Sequence, residues 1–322
     1  MHVLLVKTSS LGDVIHNLPV VSDLKRMHPE VQIDWCVEES CAAIPRLHPG
    51  VREVIPVALR RWRKTPFAAA VWREFADFRR RLGAQRYDFV LDTQGLVKSA
   101  LIASQANGLR CGYAAGVARE PFAARFYDRT FVIPTNANAV LRNRWLAAAA
   151  FDYPVDLPLD YGLAAPELPL PWLEKSSHES RHAVLLTATS RDDKLWSEDA
   201  WGTVARELLR QGITPILPSG SARERERTER IAAQAPGCCV APPLGLPELA
   251  ALTGRAAVAV GVDTGLVHLA AALGTPTIAL YTATDPERTG VLGTGFFRNL
   301  GGPGLAPSPD AVLAAIDQGL RA

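Results

Sequence analysis

Four polar stretches in this 322-residue sequence each follow a short apolar run and hold residue types that move protons or neutralise anions. In Lys7-Thr8-Ser9-Ser10-Leu11-Gly12-Asp13 a lysine and a carboxylate stand at the end of an apolar strand, a pairing suited to acid–base chemistry. Asp13 fits equally well as the cap of the following helix. Asp92-Thr93-Gln94-Gly95-Leu96-Val97-Lys98 repeats the layout, with Thr93 as an alternative cap. In Thr187-Ala188-Thr189-Ser190-Arg191-Asp192-Asp193-Lys194 the hydroxyls and Lys194 make a cradle for an anion. The strongest signal is Val262-Asp263-Thr264-Gly265-Leu266, where a buried strand enters an apolar helix. The unpaired amides and positive dipole end of that helix form a phosphate site, and Gly265 lets a phosphate approach the backbone.

Other residues read two ways. His268 suits either a buried core position or a ligand contact. Pro218-Ser219-Gly220-Ser221 with Glu224 repeats the turn geometry, but Glu224 also belongs to an Arg/Glu alternation typical of a solvated helix face. Neither GxGxxG nor GxxxxGK[ST] is present, which argues against dinucleotide and P-loop sites. A single Asp-Thr-Gly inside an α/β rhythm is not the signature of an aspartic protease.

The cations are concentrated locally. Arg60-Arg61-Trp62-Arg63-Lys64 sets four around one tryptophan, and Arg119, Arg142 and Arg144 add to the same half of the chain. Guanidinium forks match phosphate and carboxylate geometry. The whole chain, with 35 basic and 33 acidic side chains and a net charge of +2, offers no general attraction for nucleic acid. Lysine is scarce (Lys7, Lys25, Lys64, Lys98, Lys175 and Lys194), so lysines at strand ends stand out. Five cysteines without a CxxC pair suggest plain thiols rather than disulfides or a zinc site. The first apolar run, Val3 to Val6, is too short for a signal core, and nothing approaches a membrane helix, so a cytoplasmic location is expected.

The elements that must position these stretches alternate. Strands are expected at Val3–Lys7, Gln32–Val37, Val54–Val57, Phe89–Asp92, Ala183–Thr187, Pro215–Pro218, Ala257–Val262 and Thr277–Tyr281. Helices are expected at Val14–Met27, Ala68–Leu82, Leu96–Ala106, Trp201–Gln211, Ser221–Gln234, Leu246–Thr253, Leu266–Leu273 and Ala311–Arg321. This βαβ rhythm implies parallel sheets covered by helices. Pro154, Pro158, Pro166, Pro169 and Pro171 interrupt it, predicting two Rossmann-like lobes, 1–160 and 161–322, with ligands in a cleft near strand carboxyl ends.

Taken together, the opening Val6–His16 resembles that of the ADP-heptose:lipopolysaccharide heptosyltransferases, glycosyltransferase family 9. The similarity is closest to the family's type I members. It runs through Ile55-Pro56-Val57, Arg60–Lys64, Asp92–Ser99, Ala118-Arg119-Glu120-Pro121, Thr189–Lys194, Val262–Leu266 and Thr284-Asp285-Pro286. Two places depart from the family pattern: Thr282-Ala283 stands where glycine and proline are common, and Ser219 where tryptophan is common. The resemblance implies a GT-B α/β fold with no resident cofactor or metal, and a final helix able to pack back on the first lobe. It implies inverting transfer of L-glycero-D-manno-heptose from ADP-heptose to the inner Kdo, a keto-deoxy sugar acid, of Kdo–lipid A.

By the same resemblance Asp13 is the general base and Lys194 stabilises the leaving diphosphate. Thr189, Ser190, Asp263, Thr264, Gly265, Leu266 and His268 hold the donor, Glu224 its ribose and Leu244 its base. Lys7, Ser10, Gly12, Arg60, Arg61, Arg63, Lys64, Gln94, Lys98, Arg119 and Arg142 fall on the acceptor side. A monomer working on the anionic cytoplasmic face of the inner membrane is expected, with Trp62 as a headgroup contact. The alternatives are a type II or III enzyme using a heptose-bearing acceptor, a nucleotide-sugar epimerase or dehydrogenase, and a non-catalytic lipopolysaccharide-binding module.

Overall fold

Val3, Leu4, Leu5 and Val6 have no solvent exposure on either side of the strand, as a central parallel strand requires. They belong to β1 (His2–Val6) in a computed structural model that describes residues 1–174 and 181–322. Lys175 lies outside the described residues. The chain divides into two units, Met1–Gly162 and Leu163–Ala322.

The first unit adds β2 (Gln32–Glu38), β3 (Glu53–Val57), β4 (Arg86–Asp92), β5 (Asn107–Tyr113) and β6 (Arg129–Phe131). They form one parallel sheet in the order β3-β2-β1-β4-β5-β6. The second unit contains β7 (His182–Leu186), β8 (Thr214–Leu217), β9 (Cys239–Val240), β10 (Val258–Val262), β11 (Thr277–Tyr281) and β12 (Phe297–Gly301). Its parallel sheet runs β12-β11-β10-β7-β8-β9. Renumbered within its unit, each sheet has the Rossmann order 3-2-1-4-5-6. The switch points, where ligands bind in such sheets, fall beyond β1 and β4 in one unit and beyond β7 and β10 in the other.

Both faces of the second sheet are covered. Leu185, Val260 and Ile278 pack with Trp201, Leu208 and Ile316 on one side. Leu186, Ile216 and Tyr281 pack with Leu252 and Val267 on the other. The final helix, Pro309–Gly319, packs on the helix Glu198–Arg210 and on β10, β11 and β12 of its own unit. All five cysteines are free thiols. Among the described residues no helix is long and apolar enough to cross a membrane.

Several boundaries differ from the sequence reading. The expected helix Val14–Met27 is two helices, Leu11–Ile15 and Leu18–Met27, because Pro19 has no amide to continue the first and suits the opening turn of the second. The strands β5, β6, β9 and β12 and the helix Ala139–Phe151 carry no clear sequence signal. Strand β5 carries Gly108 and Gly112, which read as loop signals. Instead they allow close approach: a Cβ on Gly108 would lie 2.6 Å from the Tyr87 carbonyl oxygen, and one on Gly112 2.3 Å from the Tyr127 ring.

The Pro-rich stretch is fastened at its start. Arg144, buried in an ion pair with Asp23 at 2.7 Å, also donates to the carbonyls of Leu157 (2.6 Å) and Pro158 (3.3 Å). The Gly162 amide donates to Asp160 at 2.8 Å. Farther on, Ala165 packs against Gly254, Arg255 donates to the Leu168 carbonyl, and Leu170 and Leu173 are buried in the second core.

Candidate active site

In the first unit the loop leaving β1 is held from below by the loop leaving β4. Gln94 is 2 % exposed. Its Oε1 accepts from the Thr8 amide (2.7 Å), the Thr8 hydroxyl (2.9 Å) and the Ser9 amide (3.3 Å). Its Nε2 donates back to the Ser9 carbonyl. Both ends of the amide are thus occupied by the loop that leads to Asp13. Asp92 supports this arrangement, accepting from the Gln94 amide (2.8 Å), the Gly95 amide (3.3 Å) and the Tyr127 hydroxyl (2.8 Å). Burial nevertheless pushes the Asp92 pKa upward.

Asp13 lies in the helix Leu11–Ile15, whose cap is Ser10. The Asp13 carboxylate accepts from the Ser10 amide at 3.0 Å in a capping-box arrangement, so it is the partner of the cap rather than the cap itself. Arg119 grips the same carboxylate with two bonds, 2.6 and 3.2 Å. Burial acts to raise the Asp13 pKa, but the charges of Lys7 and Arg119 outweigh it and hold the carboxyl far below its ordinary range. The Lys7 ammonium is buried and donates to the Thr93 carbonyl (2.8 Å) and to Asn143 Oδ1 (3.3 Å). Burial pulls its pKa down to about 8, against the opposing pull of Asp13.

Lys7, Gln94, Arg119, Arg142, Tyr113 and Asn143 line a pocket of about 20 Å³, little more than one water-sized group. Arg142 lies over the Tyr113 ring at 5.1 Å and donates to the Val117 carbonyl at 2.9 Å. Lys98 is exposed and reaches the Ser9 hydroxyl at 3.3 Å. Ser10 is exposed and Gly12 half-buried at the same rim. Sequence reasoning missed Tyr113, which arrives from β5, and Asn143, which stands between Arg142 and Arg144 on the helix Ala139–Phe151.

In the second unit Lys194 and Asp263 meet. The Lys194 ammonium donates to Asp263 Oδ2 at 2.6 Å, and the Thr284 hydroxyl donates to the same oxygen at 2.6 Å. The Thr189 hydroxyl donates to the Asp263 carbonyl at 2.9 Å, joining the loops beyond β7 and β10 across the switch point. Thr264 caps the helix Gly265–Ala272 by position but makes no side-chain cap bond. Its hydroxyl is therefore not spent on the helix. His268 is buried, Leu266 and Leu244 flank the core, and Ser190 is exposed. Glu224 folds back onto the Gly220 amide at 2.7 Å, closing the turn beyond β8. Thr284 lies in Thr284-Asp285-Pro286, where nothing local in the sequence marks it as a partner of Asp263.

The cationic cluster divides. Arg60, Arg63 and Lys64 are exposed. Arg61 is engaged with Glu39 at 3.1 Å and Glu74 at 2.9 Å. Trp62 is 8 % exposed, donates to Glu74 at 2.8 Å, and packs edge-on against Phe75 and Phe78. It belongs to the core of the first unit, which corrects its reading as a headgroup contact.

The sequence model of glycosyltransferase family 9 (heptosyltransferase) matches residues 75–299. The chain belongs to that family. This family 9 chain is 43% identical over 295 residues to lipopolysaccharide heptosyltransferase 1 of Pseudomonas aeruginosa, covering 91% of this chain and 82% of that protein. Its structure is similar to that of E. coli heptosyltransferase WaaC with ADP, with a TM-score of 0.90 at 39% identity, covering 99% of this chain and 100% of the other. The same enzyme with ADP-2-deoxy-2-fluoro heptose matches with a TM-score of 0.87 at 40% identity, covering 99% of each chain. The family 9 chain is accordingly a glycosyltransferase of the heptosyltransferase class with Rossmann-like units of the GT-B type. The epimerase, dehydrogenase and non-catalytic readings fall away.

Proposed function

We propose that this chain transfers L-glycero-D-manno-heptose from ADP-heptose to the inner Kdo of Kdo–lipid A, with inversion at the anomeric carbon. The observation that carries the reading is the same in both units: charged groups gathered at the switch point of a Rossmann sheet. Asp13 with Lys7 and Arg119 fills it in the first, and Lys194 with Asp263 and Thr284 in the second. The ADP and ADP-fluoroheptose bound by the E. coli relative support the donor assignment.

An inverting transfer is one in-line displacement. The acceptor hydroxyl must lose a proton, and the departing diphosphate must be met by fixed positive charge. Asp13 is the general base and Lys194 the point charge, assisted by the amides of the helix opening at Thr264. A carboxylate gripped by Arg119 is ionised but weakly basic. An acceptor carboxylate that takes over Arg119 and Arg142 would return basicity to Asp13 as the substrate binds. On this reading Gln94 positions the Asp13 loop rather than touching the acceptor. The chemistry is assigned without a resident cofactor or metal, on the anionic inner face of the membrane where the lipid-borne acceptor lies.

The test is Asp13→Asn with Lys194→Met alongside. Asp13→Asn should keep donor affinity in calorimetry and lose transfer by roughly 10²- to 10⁴-fold. Lys194→Met should weaken ADP-heptose binding. Near-normal turnover by Asp13→Asn would remove the base assignment. Preference for a heptose-bearing acceptor over Kdo–lipid A would move the enzyme to type II or III.

A further inference from the structure

Among the described residues three large aromatic side chains are exposed, and two of them, Phe67 (94 %) and Trp72 (61 %), fall close together on one short segment. Phe67 stands in the loop between the helices Leu59–Trp62 and Ala69–Ala84, and Trp72 in the first turn of the second helix. The Trp72 ring meets Phe75 edge-on at 6.4 Å, and Phe75 meets buried Trp62 at 5.8 Å. The exposed indole is thus the outer end of a row of rings rooted in the core.

The charge of this segment is predominantly positive. Residues 59–84 contain eight arginines and lysines against two acids, in a chain whose net charge is only +2. Both acids are already paired, Glu74 with Arg61 and Asp77 with Arg80, each at 2.9 Å. Arg60, Arg63, Lys64 and Arg73 remain exposed beside Phe67 and Trp72 in sequence. A ring that projects almost wholly into water from a loop, with exposed cations on both sides of it in sequence, suits a yielding interface better than a shaped pocket. Aromatic rings and basic side chains together partition into the boundary between phosphate headgroups and acyl chains.

We propose that residues 59–84 form an interfacial anchor for an anionic phospholipid bilayer. Phe67 and Trp72 enter the headgroup–acyl boundary, and Arg60, Arg63, Lys64 and Arg73 lie among the lipid phosphates. The proposal deepens the preceding reading, in which the acceptor is lipid-borne, and it names the face that meets the lipid.

The experiment is co-sedimentation of the full chain with vesicles of phosphatidylcholine alone and of phosphatidylcholine with about 30% phosphatidylglycerol. The chain should bind the anionic vesicles, and binding should weaken as salt shortens the Debye length from about 10 Å towards 3 Å. Phe67→Ser/Trp72→Ser should lose about tenfold or more in partitioning. Its melting temperature and its rate on a deacylated, water-soluble acceptor should stay unchanged. The single variant Phe67→Ser removes a side chain exposed over nearly its whole surface, so it keeps the test open should the double variant fold poorly. Equal partitioning of Phe67→Ser and wild type would overturn the proposal. So would binding that ignores the anionic lipid, or capture by an acidic protein with no vesicle binding. If the wild type fails on the soluble acceptor yet binds anionic vesicles, the catalytic reading fails and the anchor stands.

Discussion

Replacing Gln94 by leucine removes a side chain of similar size whose polar atoms all serve one neighbouring loop. The Thr8 hydroxyl can rotate to another partner, but the Thr8 and Ser9 amides and the Ser9 carbonyl lose theirs while staying buried. Each buried polar group left unpaired costs about 1–3 kcal/mol. Three such groups destabilise the loop by about 3 kcal/mol at the low end, roughly a hundredfold or more in the local opening equilibrium. Hydrogen–deuterium exchange of a peptide spanning the Thr8 and Ser9 amides reads this directly. Both amides should exchange that much faster in Gln94→Leu, while amides of β10 and β11 in the other unit keep wild-type protection. Transfer should fall mainly in kcat, since Asp13 follows the loosened loop, with KM less affected. If Thr8 and Ser9 stay as protected as in the wild type, Gln94 is not the brace described here, whatever happens to activity.

Two further outcomes follow from the same unit. The Lys7 pKa is about 8 in the folded chain against an ordinary 10.5, so between these values the unfolded chain holds the extra proton and stability rises with pH. The difference in melting temperature between wild type and Lys7→Met should therefore move in favour of wild type from about pH 8 to pH 10.5, and a flat difference would contradict it. Gly112→Ala would drive a Cβ to 2.3 Å from the Tyr127 ring and displace the hydroxyl that holds Asp92 at 2.8 Å. A loss of about 1–3 kcal/mol in denaturant midpoint is expected, and wild-type stability would show that the strand relaxes freely.

The buried strands could be read from sequence because a parallel strand covered on both faces must be apolar throughout. Thr277–Tyr281 has the same limits in sequence and structure. The polar motifs could be located for a related reason: chemistry in such sheets stands at strand carboxyl ends. What stayed hidden depended on contacts distant in sequence. Gln94 has the same composition whether it faces a substrate or a neighbouring backbone, and only the proximity of β1 and β4 decides which. Trp62, set among four cations, reads as a surface residue, yet its ring partners Phe75 and Phe78 come from the next helix. Thr284 joins Asp263 from 21 positions away, beyond the reach of any local pattern. Strand β5 was concealed by the glycines that let its neighbours approach.

The fastening of the Pro-rich stretch has a mechanical consequence. With Gly162 lying against His48 at the end of one unit and Ala165 already packed on Gly254 of the other, only Leu163 and Ala164 lie between the two attachments. Each residue contributes two soft torsions and about 3.5 Å of reach. A link so short gives the chain little slack between its two attachments. Lengthening that link by a few residues would lower each half's local concentration of the other without altering a side chain in either unit.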